Sequence, residues 1–282
     1  MALTVNTNVT SLNVQKNLNK ASDSLSTSMT RLSSGLKINS AKDDAAGLQI
    51  ATRMTSQIRG QTMAIKNAND GISIAQTAEG AMQEQTNILQ RMRELAVQSR
   101  NDSNSSDDRD ALQKEFSAMS SELSRIAGST NLNGKNLLDG SASTMTFQVG
   151  SNTGSDNQIK LDLTAKFDAV SLGITSGITI AGSSTTIAET NFSAAVGAID
   201  GALKTINASR ADLGAAQNRL TSTIANLQNI NENASAALGR VQDTDFASET
   251  AQLTKQQTLQ QASTAVLAQA NQLPSAVLKL LQ

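Results

Sequence analysis

The most obvious metal-binding spacing lies in the segment DSNSSDDRDALQ, which begins at Asp102. A calcium loop of the EF-hand type needs oxygen ligands at alternate early positions, a glycine at the sixth and a glutamate at the twelfth. The segment supplies the early oxygens, but Asp107 occupies the glycine position and Gln113 the glutamate position. We therefore expect a helix start instead of a calcium site, with Ser106 as the N-cap and Asp107 and Asp108 facing the positive end of the helix dipole.

Two adjacent carboxylates, Asp43 and Asp44, are the other candidate for chemistry, as an acid–base pair. Adjacent side chains on a helix do not face each other, so a polar helix start is the better interpretation. The chain has no His and no Cys, which removes the commonest general base and all thiolate chemistry. It also lacks a phosphate-binding loop and a nucleophile elbow. We predict a protein that is not an enzyme and has no catalytic residue, metal or cofactor.

The overall composition argues against several further kinds of partner. The 23 Lys and Arg balance 24 Asp and Glu, so the chain offers no basic surface for nucleic acid. No apolar run is long enough to span a membrane, and the N-terminal residues do not resemble a removable signal peptide. Aromatic residues are only 2% of the chain, which contains a single Pro. A core of Leu, Ile, Val, Ala and Met favours long helices packed side by side.

Apolar residues recur at helical spacing in both terminal parts of the chain. Three stripes precede the turn-rich segment GSTNLNGKNLLDG, and two more, separated by DTDFASE, follow the middle of the chain. We call the outermost stripes the terminal seams. Their members are Leu12, Leu18, Leu25 and Leu32 at one end, and Leu259, Val266, Leu273 and Val277 at the other.

The middle of the chain, residues 141–190, has a different pattern. The segments TMTFQVG, IKLDL and ITIAG are short, partly alternating and β-branched, with Gly, Ser, Asn and Asp between them, so we predict strands and hairpins. The predicted fold class is mainly α: long N- and C-terminal helices paired as a coiled coil or helical bundle, with a small β-rich central insertion.

Helices of this length cannot bury their stripes inside one compact chain. A helix of about 40 residues is about 60 Å long. Unpaired terminal seams would leave apolar surface in water, so we expect them to pair with each other and with copies from other chains. The sequence is therefore typical of an assembly subunit.

Several segments, taken together and in order, resemble the bacterial flagellins. They are NTNVTSLNVQKNL, RLSSGLKINSAKDDAAGLQIA and LQRMRELAVQS in the N-terminal part, and LGAAQNRL, LQQASTAVLAQANQLP and VLKLL in the C-terminal part. The resemblance implies a structural subunit that polymerises into the helical filament of the flagellum for motility. It implies secretion and an extracellular location in the filament.

The resemblance also implies a layered organisation. Residues 1–44 and 243–282 would form an inner-tube coiled coil, 45–140 and 191–242 a surrounding helical layer, and 141–190 a variable, surface-exposed insert. The terminal seams would then make the polymerisation contacts. Implied partners are other copies of the chain, flagellar cap and junction proteins, the flagellar type III export apparatus with its export chaperone, and host innate immune receptors.

Two segments resemble sites that host receptors read. Residues 30–51 resemble the epitope of the plant flagellin receptor, for which the resemblance points to Asp43, Asp44, Gly47 and Leu48. In flagellins this segment is the joint between the inner helix and the outer layer. Gly35 is predicted to end the first helix in the left-handed conformation, and Asn39 or Ser40 to cap the next.

The second segment, QRMRELAV, resembles the patch bound by the vertebrate innate receptor for flagellin. The residues carried over are Gln90, Arg91, Glu94, Leu95 and, across a helix pair, Glu115. Leu95 has a second interpretation, as a residue packed inside the helical layer. Neighbours in a filament would cover this patch, so recognition is expected to require the monomer.

Two other functions compete with the filament subunit. A hook–filament junction protein has similar terminal helices, but the motifs match flagellin proper. A membrane-inserting export translocator would need a strongly apolar hairpin, which the sequence lacks.

Overall fold

The computed structural model describes residues 7–182 and 184–280, with side-chain surroundings for all of these except 185 and 273–280. Its helices are α1 (Val9–Ser34), α2 (Ala45–Ser99), α3 (Ser106–Ser129), α4 (Thr185–Gln242) and α5 (Phe246–Leu280). Its strands are β1 (Asn131–Leu132), β2 (Lys135–Asn136), β3 (Ser143–Gln148) and β4 (Gln158–Leu163). The predicted fold class, mainly α with a small β-rich insertion, is confirmed.

The chain divides into two compact units. The terminal unit comprises Met1–Ile58 with Glu232–Gln282, and the central unit comprises Arg59–Asn231. Both α2 and α4 contribute residues to each unit.

In the terminal unit, α1 packs antiparallel against α5. The Asn8 side chain donates to the carbonyl of Ala270 at 2.8 Å, while at the other end Arg31 lies 3.7 Å from Glu249. Beyond α1, the amide of Thr244 donates to the carbonyl of Gly35 at 2.9 Å. Contacts at both ends fix the register of the pair.

The central unit holds the main hydrophobic core, built from α2, α3, α4 and the β-region. Buried residues of α2 recur along one face of the helix, as the sequence periodicity predicts. Among the described residues, the largest fully buried side chains all lie in this core: Phe116, Phe167, Met82, Leu89, Met92, Leu95, Leu123, Leu137, Leu138, Leu161, Leu163 and Ile174. The core of the central unit is therefore built around the buried face of α2.

The β-region consists of two hairpins. β3 pairs antiparallel with β4, where Ile159, Leu161 and Leu163 alternate inward with the period of two that a half-buried strand requires. β1 and β2 are joined by Asn133 and Gly134, both with positive φ (52° and 75°), the geometry of a two-residue hairpin turn. The strands predicted at TMTFQVG and IKLDL are confirmed.

The third predicted strand, ITIAG at residues 178–182, is wrong. Side chains satisfy its backbone in place of another strand: the amide of Ile180 donates to Gln113 Oε1 at 2.6 Å, and the Ser99 hydroxyl donates to the carbonyl of Ile180. A β-branched composition favours an extended backbone, but an extended segment forms a strand only when a neighbouring backbone pairs with it.

A buried arginine fixes the loop that precedes α3. Arg109 is 5% exposed, and its guanidinium donates to the carbonyls of Ser99, Asn101 and Gly182 at 3.1–3.3 Å. Sequence reasoning missed this role. The predicted helix start is confirmed, but its N-cap is Ser105 and not Ser106, because Ser105 and Asp108 form a reciprocal capping box.

Candidate functional site

The joint between α1 and α2 is the first of three candidate surfaces. Gly35 ends α1 with φ 73°, as predicted, because glycine adopts the left-handed conformation without a Cβ clash. The predicted capping of α2 by Asn39 or Ser40 is wrong. Asp44, immediately before α2, accepts the amide of Gly47 at 2.9 Å.

Asp43 holds the turn that precedes α2. Its Oδ2 accepts the backbone amides of Asn39 and Ser40 at 3.1 and 3.0 Å, and the Ser40 hydroxyl at 3.1 Å. Hydrogen bonds from the Ser40 amide, the Asn39 amide and the Ser40 hydroxyl, in that order, lower the pKa of Asp43, and the charge of Arg31 adds to them. The two neighbouring carboxylates thus have separate structural roles, one in the turn and one at the helix start.

Because Gly47 has no side chain, the backbone of the joint packs closely against Ile38. A Cβ on Gly47 would lie 2.6 Å from Ile38 Cδ1 and 2.5 Å from Asp44 Oδ2, while Ile38 itself is 4% exposed. Of the four residues assigned to the plant-receptor epitope, Asp43 and Asp44 are exposed, Leu48 is half-buried and Gly47 is buried. Gly47 therefore shapes this segment from within.

We expect acid to open the Asp43 turn. Because the folded-state pKa lies below the ordinary 3.8, the carboxylate stabilises the turn above that value, and this stabilisation is lost as the pH falls below 3.8 through the folded pKa. An NMR titration of the Ser40 amide should show the transition. The Asp43→Asn variant should lack it, and a transition that persists in that variant would contradict the assignment.

An ion-pair network on the central unit is the second surface. Arg91 Nη2 lies 2.9 Å from Glu115 Oε1 across α2 and α3, and Arg91 Nη1 lies 3.0 Å from Glu94 Oε2. The hydrogen bonds that Arg91 donates to Glu94 and then to Glu115 raise the pKa of Arg91. Gln90 is exposed beside them. Arg91 is thus in contact with Glu94 and Glu115, and we call Gln90, Arg91, Glu94 and Glu115 the charged patch.

Leu95 does not belong to the exposed patch. Its side chain is 0% exposed and lies in the core, so the assignment of Leu95 as a surface contact is corrected to a packing role. Sequence reasoning also missed the ion pair of Arg93 with Asp200 at 2.8 Å, which links α2 to α4. Only the fold brings such distant residues together.

The terminal seams form the third surface and divide into two groups. Leu18, Leu25 and Leu32 are half-buried, whereas the exposed fractions of Leu12, Leu259 and Val266 are 57%, 45% and 49%. Leu273 and Val277 have side chains outside the described part. On α5 the less exposed stripe is a different one: Glu249, Leu253, Gln256, Gln260, Ser263, Leu267 and Ala270. The helix thus carries a second stripe beside the one packed in this chain.

The described residues contain no group of three or more acidic side chains positioned to hold a metal ion. Among the helices in that same part of the chain, none has a segment both apolar and long enough to cross a bilayer.

Comparison with known families gives two matches. The family described as "Bacterial flagellin N-terminal helical region" matches residues 5–143, and "Bacterial flagellin C-terminal helical region" matches residues 196–281. The unmatched residues between them contain most of β3, all of β4 and the start of α4.

Individual relatives match over the whole chain. Flagellin B of Vibrio cholerae serotype O1 is 43% identical over 375 aligned positions, which cover 100% of both chains. Flagellin A of the same organism is 41% identical over 382 positions, again covering 100% of both. A solved structure described as a flagellar hook-associated protein from Vibrio parahaemolyticus shares the fold at 13% identity, with a TM-score of 0.60 over 71% of this chain and 100% of that one.

Proposed function

Because this chain belongs to the bacterial flagellin family and is a subunit of the flagellar filament, we propose that its α1–α5 pair makes the contacts between subunits. The observation that supports this most directly is the exposure of Leu12, Leu259 and Val266 on helices whose other faces are already paired. Burial of apolar surface contributes about 25 cal/mol per Å². A head-to-tail contact that does not close generates an open helical polymer.

Seeded assembly tests this role. The purified chain, mixed with fragments of its own filaments, is expected to grow filaments that scatter light and appear by negative stain. A monomer that stays stable under every seeding condition would contradict the role and favour a hook–filament junction protein. The family match favours the filament subunit.

We propose the layered organisation implied by the resemblance for the assembled state. Residues 1–44 and 243–282 would form the inner tube, 45–140 and 191–242 the outer helical layer, and 141–190 the outward insert. Two findings support a variable insert: the family matches leave the residues between 143 and 196 unmatched, and the 375 aligned positions exceed the 282 residues of this chain, so a relative carries residues without a counterpart here. Secretion by the type III export apparatus, with its chaperone and with cap and junction proteins as partners, completes the proposal.

We further propose that host innate receptors recognise the monomer. The charged patch is the proposed site for the vertebrate receptor, since Arg91 is held by two carboxylates in one orientation at the surface. The Asp43 turn, with Asp44, Gly47 and Leu48, is the proposed site for the plant receptor.

Loss of the Arg91 side chain is expected to weaken vertebrate-receptor signalling at least about tenfold, since arginine is often an interface hot spot. Arg91→Ala monomer would be titrated on receptor-expressing reporter cells, with its helicity checked by circular dichroism. Arg125→Ala is the matched control, because Arg125 forms a similar exposed pair with Glu122 on α3. Equal signalling by the two variants would exclude the charged patch.

A further inference from the structure

We propose that Asn133 is a site of spontaneous covalent modification, at which its side-chain amide is lost and the β1–β2 hairpin gains a negative charge. The reaction needs an Asn or Asp whose side-chain carbonyl is attacked by the backbone nitrogen of the next residue. Glycine hinders this attack least, because it has no Cβ and its backbone rotates most freely. The sequence contains four such pairs: Asp70–Gly71, Asn133–Gly134, Asp139–Gly140 and Asp200–Gly201. The fold decides which of them reacts.

The Asn133–Gly134 pair is open to the reaction. Both residues are exposed, at the tip of the β1–β2 hairpin. No hydrogen bond joins the Asn133 side chain or the Gly134 amide to another described residue. A Cβ built on Gly134 would meet no atom within 4 Å, so the space beside the attacking nitrogen is free. The ladder that holds the turn has only two residue pairs, and so short a hairpin opens readily.

Helical structure protects two of the other pairs. Asp70–Gly71 lies in α2 and Asp200–Gly201 in α4, where the glycine amides donate within the helix and the backbone is fixed. Gly71 is also buried, and a Cβ at this position would lie 3.2 Å from two neighbouring side chains. The Asp200 carboxylate is bound to Arg93 at 2.8 Å. Neither pair is free to rotate into the geometry of the attack.

The Asp139–Gly140 pair is held by its own carboxylate. Asp139 Oδ1 accepts the Ser141 amide at 2.9 Å and the Ser141 hydroxyl at 2.6 Å, and Oδ2 accepts Asn136 Nδ2 at 2.8 Å. The Ser141 hydroxyl and then the Asn136 amide lower the pKa of Asp139, so its carboxyl is ionised near neutral pH and resists a nucleophile. Of the four pairs, only Asn133–Gly134 combines an open backbone nitrogen with a neutral amide.

The reaction consumes water and releases ammonia. The Gly134 nitrogen loses its proton and bonds to Asn133 Cγ, the bond between Cγ and Nδ2 breaks, and ammonia leaves with that proton. The product is a five-membered succinimide ring. Water then opens the ring at one of its two carbonyls. Opening at Cγ gives aspartate, and opening at the main-chain carbonyl carbon of Asn133 gives isoaspartate. No oxidant or reductant is involved, and each event adds one carboxylate.

Both products change the hairpin. The new carboxylate stands two residues before Lys135, and in isoaspartate the main chain runs through the former side chain and is one carbon longer. A two-residue turn with positive φ at both positions needs the ordinary backbone. The isoaspartate form is therefore expected to lose the pairing of Leu132 with Lys135 and to loosen Leu137 and Leu138, which are 0% exposed and follow directly.

Peptide mapping of the purified full-length chain tests the site. The folded chain would be incubated in mildly alkaline buffer, digested at intervals and analysed by mass spectrometry, with each gain of one mass unit located by fragmentation. We expect Asn133 to convert at least tenfold faster than Asn152, an exposed Asn followed by Thr153. Methyl transfer from S-adenosylmethionine by an isoaspartate methyltransferase would identify the isoaspartate fraction.

The Gly134→Ala variant tests the attacking nitrogen. A Cβ at this position hinders the attack, so conversion of Asn133 should slow at least tenfold while circular dichroism shows unchanged helicity. Equal conversion in the variant would overturn the proposed route through the succinimide.

The unmodified chain decides the matter if Gly134→Ala does not fold. Isoaspartate should appear at Asn133 in the folded chain, and at Asp139 only after unfolding in denaturant. An Asn133 that stays intact while Asn152 converts, or equal isoaspartate at Asp139 and Asn133 in the folded chain, would overturn the proposal.

Discussion

Deletion of residues 243–282 is expected to abolish filament growth while the central unit stays folded. The deletion removes α5, which packs against α1 and carries the exposed Leu259 and Val266. The central core is affected little, because its described members all lie within Arg59–Asn231. Assembly and the stability of the central unit should therefore separate cleanly in one variant.

Seeded light scattering and negative stain would measure growth, and circular dichroism would follow thermal unfolding of the same preparation. We expect no filaments, together with a cooperative transition for the central unit that stays within a few degrees of the intact chain. Thr264→Ala, at an exposed position of α5, should assemble normally. Normal growth of the truncated chain would refute the assignment of subunit contacts to the terminal pair.

Leu95→Ala is expected to destabilise the central unit by about 2–5 kcal/mol, the usual cost of removing a buried leucine side chain and leaving a cavity. Leu95 is 0% exposed among core residues. Val97, two residues further along α2, is 55% exposed, so Val97→Ala should change the free energy of unfolding by less than about 0.5 kcal/mol. Denaturant midpoints from circular dichroism would compare the two variants.

This comparison also bears on receptor recognition. A Leu95 variant that lost signalling because it unfolds would say nothing about a contact, whereas Arg91→Ala acts at the surface. If the midpoint of Leu95→Ala matched that of Val97→Ala, the packing role assigned to Leu95 would be wrong. Signalling by any Leu95 variant should therefore be interpreted only after its stability is known.

The α1–α5 pair depends on neighbours for much of its stabilisation, as we infer from its small buried side chains. Among the side chains that the structure describes in α1 and α5, the buried ones are Ala21, Ser28 and Ala270, and the inner stripe of α5 includes Gln256, Gln260 and Ser263. Ordering each residue costs on the order of 1–2 kcal/mol in backbone entropy. A helix–helix interface with so few large apolar side chains among the described residues offsets little of that cost. Contacts with neighbouring subunits would therefore supply the remaining stabilisation.

Local features of the fold could be predicted from the sequence because their causes lie within a few residues. Apolar spacing predicted the helices, alternation predicted β3 and β4, and a glycine after a helical stripe predicted the left-handed end of α1 at Gly35. The caps were harder. The α3 cap is Ser105, one residue before the predicted Ser106, and the cap of α2 is Asp44, because that helix begins only at Ala45.

Long-range packing decided the rest, for a physical reason. Residues far apart in the chain compete for the same packing partners, and the local sequence pattern does not show which of them will make the contact. The sequence by itself determined that α5 has an apolar stripe at Leu259 and Val266, but only the antiparallel register with α1 left this stripe exposed. In the same way, the fold buried Leu95 in the central core and placed the Arg109 guanidinium among three carbonyls from two distant segments. Periodicity determines which face of a helix is apolar, and tertiary packing determines which apolar face remains for a neighbour.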